Sequence, residues 1–231
     1  MIWLKKYAHF RKTYFGRSHR LCFQDNIFIF AALHILFYHC LYKLFSKVRI
    51  LFLSDIHGSL PALDAVLTYY DKHHYDLLVL VGDILNYGPR NGLCNGLDPQ
   101  TIAERLNERA ANIVAVRGNC DSEVDQMLLH FPIQSTYLLL VDEGRRFFVT
   151  HGHVYNEKKM PEAPACDVFV YGHTHLQTLK PADKETGMPV IVNTGSPTFP
   201  KGGNPPTFAT YADGVLAVRT LDGAAISSLK L

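Results

Sequence analysis

The chain has 231 residues, room for one large domain or for one domain plus an extension, and a formal charge of +2. The charge is unevenly spread: residues 1–47 hold eight Lys/Arg against the single Asp25, which leaves residues 48–231 at −5. An acidic domain is a poor non-specific binder of nucleic acid, which needs clustered Lys and Arg. The five scattered cysteines form no C-x-x-C pair, so they give no sign of a disulfide framework or a zinc knuckle. A reducing compartment fits this usage, and the protein is expected in the cytoplasm.

Residues 1–47 carry the only tryptophan, Trp3, and twelve of the 27 aromatic residues. Residues 27–45 are almost continuously apolar, close to the roughly 20 residues that cross a bilayer. Three readings compete. A membrane anchor would place His34, His39 and Lys43 at costly depth, with the six preceding basic residues holding the N-terminus in the cytoplasm. A secretory leader would need a shorter basic start and a small-residue cleavage site. A start-site artefact or dispensable extension is preferred, because Val48 already opens a natural first strand. The expected division is a basic, aromatic-rich extension over 1–47 and a domain over 48–231. A membrane is a partner only if residues 27–45 are a real span.

From Val48 apolar runs alternate with helix-period segments. Val48–Leu53 reads as a strand buried on both faces. Ser59 then offers a helix cap, Pro61 suits the first turn, and Leu60, Leu63, Leu67 and Tyr70 share a face. Asp76–Val81 is the second strand, Pro99–Ala110 a helix with Ile102 and Leu106 inward, and Asn112–Val116 the third strand. Thr136–Val141 and Arg145–Val149 form a hairpin about Asp142-Glu143-Gly144. Strands follow at Asp167–Tyr171 and Pro189–Val192, and two last ones, Phe208–Ala212 and Val215–Arg219, turn at Asp213-Gly214. An early βαβαβ part and a later β-rich part give an α/β protein of two packed sheets with helices outside.

Five strand ends finish in polar, metal-competent residues: Asp55/His57, Asp83, Asn119, His151 and His173/His175. In an extended segment residues i and i+2 share a side, so Asp55 and His57 are expected to aim at one point past the first strand. Strand ends of one sheet would bring the remaining donors beside them. Seven N and O donors without a thiolate suit two hard-to-borderline divalent cations, Mn²⁺ first, with Fe²⁺, Zn²⁺ or Ni²⁺ as alternatives. Asp83, alone in its cluster, is the natural bridge. The Gly/Asn-rich loop that begins at Asn86 follows Asp83 and is placed to wall the substrate cleft, with Asn86 as a substrate contact.

The ordered pattern D-x-H, G-D, G-N-C-D, H and G-H-x-H resembles the calcineurin-like metallophosphoesterase superfamily over Val48 to the C-terminus. The blocks S-D-I-H-G, R-G-N-C-D, T-H-G-H, Y-G-H-T-H and P-K-G-G-N-P are similar to those of the bacterial YfcE-like phosphodiesterases. The resemblance implies a four-layer αββα sandwich. It implies one cation on Asp55, His57, Asp83 and His175, and another on Asp83, Asn119, His151 and His173. It also implies homo-oligomers. The implied activity is a metal-dependent phosphoric diester hydrolase acting on a small phosphate ester, with Asn119, Asp83 and His151 as catalytic residues.

Two such cations would supply a bridging hydroxide for in-line attack on phosphorus, with no covalent intermediate. Many superfamily members have a histidine after the ligand asparagine; here the position is Cys120, beside the substrate, whose neutral thiol is a weak acid that favours good leaving groups. His153 either partners a ligand or lines the substrate site. His73, His74 and His130 read as surface residues; Arg90, Lys201 and Asn204 lie in loops that could touch a phosphate, with plain solvation the preferred reading. Two other readings stand beside the diesterase: a phosphomonoesterase on nucleotides or phosphoproteins, and a non-catalytic scaffold built on the same fold. Intact ligand positions favour catalysis.

Overall fold

The strand runs read from sequence build two sheets, seen in a computed structural model that describes residues 47–231. The expectations for residues 1–46, including the apolar run 27–45, lie outside the described residues. The larger sheet has the order β11-β10-β9-β1-β2-β3. Its centre is β1 (Ile50–Leu53), parallel to β2 (Leu77–Leu80) and antiparallel to β9 (Thr207–Ala212). β3 (Ile113–Ala115) continues the parallel side, and β10 (Val215–Thr220) and β11 (Ala225–Lys230) continue the antiparallel side. The second sheet has the order β4-β5-β6-β8-β7, with β4 (Tyr137–Asp142), β5 (Arg145–Thr150), β6 (Val168–Tyr171), β7 (Thr178–Lys180) and β8 (Val190–Asn193). Both sheets are mixed, and β5, β6 and β8 run parallel.

Alternation along each strand sends side chains to two separate apolar layers. Ile50 and Phe52 of β1 face the second sheet, where they meet Phe147, Val149, Val168 and Val170; Phe52 and Phe147 stack at 6.3 Å between ring centroids. Each such buried ring stabilises the inter-sheet layer by about 1.5–3 kcal/mol relative to exposure. Leu51 and Leu53 face the other way, onto α1 (Leu60–Lys72) and α2 (Pro99–Asn107), through Leu63, Leu67, Ile102 and Leu106. Pro61 lies in the first turn of α1, and the Asp98 side chain caps α2 by accepting the Thr101 N–H at 3.0 Å. The architecture is two mixed sheets with flanking helices, as the sequence predicts. On the outer face of the second sheet, among the described residues, Phe148, Phe169, Tyr171 and Ile191 are covered by irregular segments that supply Tyr155, Met160, Cys166 and Met188.

Three elements escape the sequence reading. Helix α3 (Glu123–Leu128) turns Val124 and Met127 outward, Met127 at 82% exposure, so it shows no inward apolar stripe. It is nucleated by a capping box between Ser122 and Asp125. β7 is three residues long, and β11, a third C-terminal strand where two are predicted, is a serine-bearing edge strand with little burial. Among the described residues no helix is long and apolar enough to cross a membrane.

Candidate metal centre

The donors come from both sheets. The sequence predicts strand ends of one sheet; instead Asp55, His57, Asp83 and Asn119 follow β1, β2 and β3 of the larger sheet. His151, His173 and His175 follow β5 and β6 of the other. The site therefore lies where the ends of the two sheets meet.

The local geometry also differs from the extended-segment expectation. Asp55, His57, Asp83, His173 and His175 all have left-handed backbones, with φ between 51° and 64°. The same-side argument for residues i and i+2 does not hold at these positions. Tight loops turn each side chain back over its strand end, at a cost on the order of 1 kcal/mol or more per non-glycine residue. Among the described residues, five of the eight non-glycine residues with positive φ are predicted donors; the others sit in turns at His74, Glu143 and Asp213. Such crowding requires glycine at two contacts. A Cβ on Gly118 would overlap Asp83 Oδ1, and one on Gly172 would overlap Ser54 Oγ and come within 2.7 Å of Asp55 Oδ2.

Main-chain carbonyls fix the imidazoles. His57 Nδ1 faces Asn86 O at 2.9 Å, His151 Nδ1 faces Val81 O at 2.7 Å, and His175 Nδ1 faces Phe199 O at 2.7 Å. A carbonyl only accepts, so each Nδ1 carries the hydrogen and each Nε2 is turned toward the centre. There His175 Nε2 and His57 Nε2 lie 3.2 and 3.6 Å from Asp55 Oδ1 and 3.3 Å from each other. Asp83 Oδ2 lies between the two groups, 3.7 Å from His57 Nε2 and 3.5 Å from His151 Nε2. Asn119 Oδ1 is 3.2 Å from His151 Nε2.

These atoms fit cations. Asp55 Oδ1 is fully buried and has no hydrogen-bond donor, an arrangement that costs several kcal/mol unless a positive charge meets it. Ligand atoms of Asp55, His57 and His175, and separately those of Asp55, Asp83 and His151, lie within 4.8 Å of one another. His173 stands at the margin: its ring lies 5.1 Å from that of His151 and its backbone N–H donates to Asp55 Oδ2 at 2.8 Å. His153 is further out, exposed, with its ring 5.4 Å from that of His151.

The charges follow from this packing. Burial works against ionising Asp55, yet the imidazoles of His175 and His57 packed against it hold its carboxyl far below the usual range. Burial likewise opposes charge on His151, but Asp83 and Asp55 raise its pKa to about 9. His57 is raised in the same way, chiefly by Asp55 against the effect of burial. Burial and the neighbouring Asp83 push the Cys120 thiol up to about 12.

The sequence reading missed the supports. Asp121, 2% exposed, accepts the N–H groups of Asp83 at 2.8 Å, Ile84 at 2.9 Å and Gly118 at 2.7 Å, tying the loops after β2 and β3 together. Ser54 Oγ donates to Asp55 Oδ2 at 2.7 Å, and Ser196 Oγ to Asp55 O at 2.8 Å. Asn86 supports the site through its carbonyl on His57 while its side chain accepts the Gly88 N–H at 2.9 Å. Above the donors opens a cleft of about 640 Å³, walled by Asn86, Asn91, Cys120 and Thr174.

Residues 48–212 match the calcineurin-like phosphoesterase superfamily domain. The chain belongs to that superfamily. It is 47% identical over 179 residues to phosphodiesterase YfcE of Escherichia coli K12, an alignment covering 78% of this chain and 95% of YfcE. A solved structure of YfcE, described as a phosphoesterase from E. coli, superposes with a TM-score of 0.75 at 45% identity, covering 79% of this chain and 99% of that one. A phosphodiesterase of Methanocaldococcus jannaschii is 22% identical over 64% of this chain and 83% of its own length. Vacuolar protein sorting 29 of Cryptosporidium parvum shares the fold, with a TM-score of 0.51 at 16% identity over 80% of this chain and all of its own.

Proposed function

We propose that residues 48–231 form a phosphodiesterase that hydrolyses small phosphate diesters with two divalent cations, Mn²⁺ first among them. The observation that carries this reading is the buried, donor-less Asp55 Oδ1 ringed by imidazole Nε2 atoms, in a chain 47% identical to a phosphodiesterase. Asp55, His57, Asp83 and His175 would hold one cation, and Asp83, Asn119, His151 and His173 the other. When bound, the cations supply positive charge to a phosphoryl group and acidify the attacking water.

The protein's own groups then have defined tasks. The carbonyls of Val81, Asn86 and Phe199 keep the three imidazoles in the tautomer that donates through Nε2. Asn119 reaches the cleft with its amide, where Nδ2 can donate to a phosphoryl oxygen. Without cations, burial and Asp83 keep Cys120 a neutral thiol, a weak nucleophile and no charged proton donor at neutral pH. Direct transfer to water, without a protein ester, is the reading that the two cations favour, and with no charged proton donor at Cys120 it suits diesters whose departing alcohol is stable as an anion.

Hydrolysis of bis-p-nitrophenyl phosphate beside p-nitrophenyl phosphate tests the reading, on protein stripped of metal and resupplied with Mn²⁺. Diester cleavage that depends on Mn²⁺ and disappears in Asp83→Asn is expected. Faster monoester cleavage would favour a phosphomonoesterase, and no cleavage by the metal-loaded protein would favour a binding scaffold.

A further inference from the structure

The cleft above the donors is larger than one phosphodiester group needs, and its charge is divided. Asp83 and the imidazoles form the floor; Arg90 and Lys201 stand on the walls as the cleft's only Lys or Arg among the described residues. Both are exposed. Among the described residues neither Arg90 nor Lys201 pairs with an acidic group, a state they share with Lys72, Arg146, Lys158, Lys159, Lys184 and Lys230; what sets the two apart is their place on the cleft. The sequence places both in loops able to touch a phosphate, and the structure puts both on one cleft.

Each cation is tethered close to a donor from a different loop. Arg90 precedes Asn91, whose Nδ2 lies 3.3 Å from His57 Nε2 and donates to Tyr87 O at 3.3 Å. Lys201 donates its backbone N–H to His175 O at 3.0 Å, and the Asn204 side chain donates to Lys201 O at 2.8 Å. Two loops, after β2 and after β8, thus bring two unpaired positive charges to one opening. In a domain of net charge −5 this opening is a local attractor for anions.

We propose that Arg90 and Lys201 select phosphodiesters that carry a second phosphate on the arm extending out of the cleft. This rests on the phosphodiesterase reading. A diester with neutral arms offers these cations nothing, because its single charge lies at the floor. A terminal phosphate, with close to two negative charges at neutral pH, matches the pair. The flat guanidinium suits two phosphate oxygens at once, and the ammonium contributes a point charge.

Matched substrates test it on the full-length, Mn²⁺-loaded protein: thymidine 5′-(p-nitrophenyl phosphate) with and without a 3′-phosphate. The 3′-phosphate should raise kcat/KM roughly tenfold at low ionic strength, mainly through KM, and the preference should shrink as salt is added. In the double variant R90Q/K201Q the ratio between the two esters should fall to about one. Because the readout is a ratio within one protein preparation, partial misfolding does not imitate it. Calorimetric binding of thymidine 3′,5′-bisphosphate against thymidine 5′-monophosphate should show the same preference, lost in the same variant. Equal turnover of the two esters, or a preference that survives the double substitution, overturns the proposal. If bis-p-nitrophenyl phosphate is also not cleaved, the phosphodiesterase reading fails and takes this inference with it.

Discussion

Asp121 offers the sharpest test of how the site is held. Its carboxylate touches no predicted donor side chain, yet Oδ2 accepts the N–H groups of Asp83 and Gly118, and Oδ1 that of Ile84. Asp121→Asn keeps the shape but converts one oxygen to a donor. With the amide oxygen at the Oδ2 position two bonds survive, and an NH₂ group then faces the Ile84 N–H. Leaving that buried donor unpaired costs about 1–3 kcal/mol. Asp121→Ala unpairs all three donors, and with partial rescue by water in the vacated space the cost should be about 3–5 kcal/mol. Urea unfolding of the two variants beside the parent, with unchanged m-values, measures both differences. An Asn variant within about 0.5 kcal/mol of the parent would refute the reasoning, since surface-like tolerance cannot coexist with three buried acceptor bonds.

Other consequences follow from the same contacts. In Gly172→Ala the new methyl collides with Ser54 Oγ and crowds Asp55 Oδ2, so Mn²⁺ affinity measured by calorimetry should fall on the order of tenfold or more. Cys120→Ser should leave cleavage of p-nitrophenyl diesters within about threefold of the parent, whereas Cys120→His should raise turnover of alkyl diesters, which need a proton donor. In the metal-free protein the pKa of His151 is about 9, above its unfolded value near 6.5. Its contribution to stability is therefore full below about 6.5 and lost as pH rises through 9. That proton must leave before Nε2 can donate to a cation, so Mn²⁺ should bind more tightly as pH rises over this interval. Proton release on adding Mn²⁺ in weak buffer, present at pH 7 and fading toward about 9, checks the sign.

Much of the site was legible because its donors are side chains at the ends of apolar runs. Asp55, His57, Asp83, Asn119, His151, His173 and His175 could all be picked out by that rule, and the structure gathers them at one place, five lining the cleft and Asp55 and His151 buried beneath it. The supports were not legible, for a physical reason. The carbonyls of Val81, Asn86 and Phe199 that hold the imidazoles belong to every residue type, so no letter marks them. Asp121 carries no mark of its role in the sequence, because its three acceptor bonds exist only when two loops meet. Backbone sign was equally hidden: nothing in the letters D-x-H says that both residues take left-handed φ. Among the elements, β1, β2 and β6 announced themselves through continuous burial, while α3, β7 and β11 bury too little to impose a period.

The division of the donors between two sheets also sets an order of events during synthesis. Asp55 and His175 are separated by 119 intervening residues, yet Asp55 Oδ1 and His175 Nε2 end 3.2 Å apart. A chain emerging from the ribosome exposes Asp55 and His57 long before β5 and β6 exist, and such an isolated pair is a weak trap for any cation. Capture with full affinity must wait until the second sheet has closed on the first. On the proposed two-cation reading, loading would then be the last act of maturation, rewarding only chains that have finished folding.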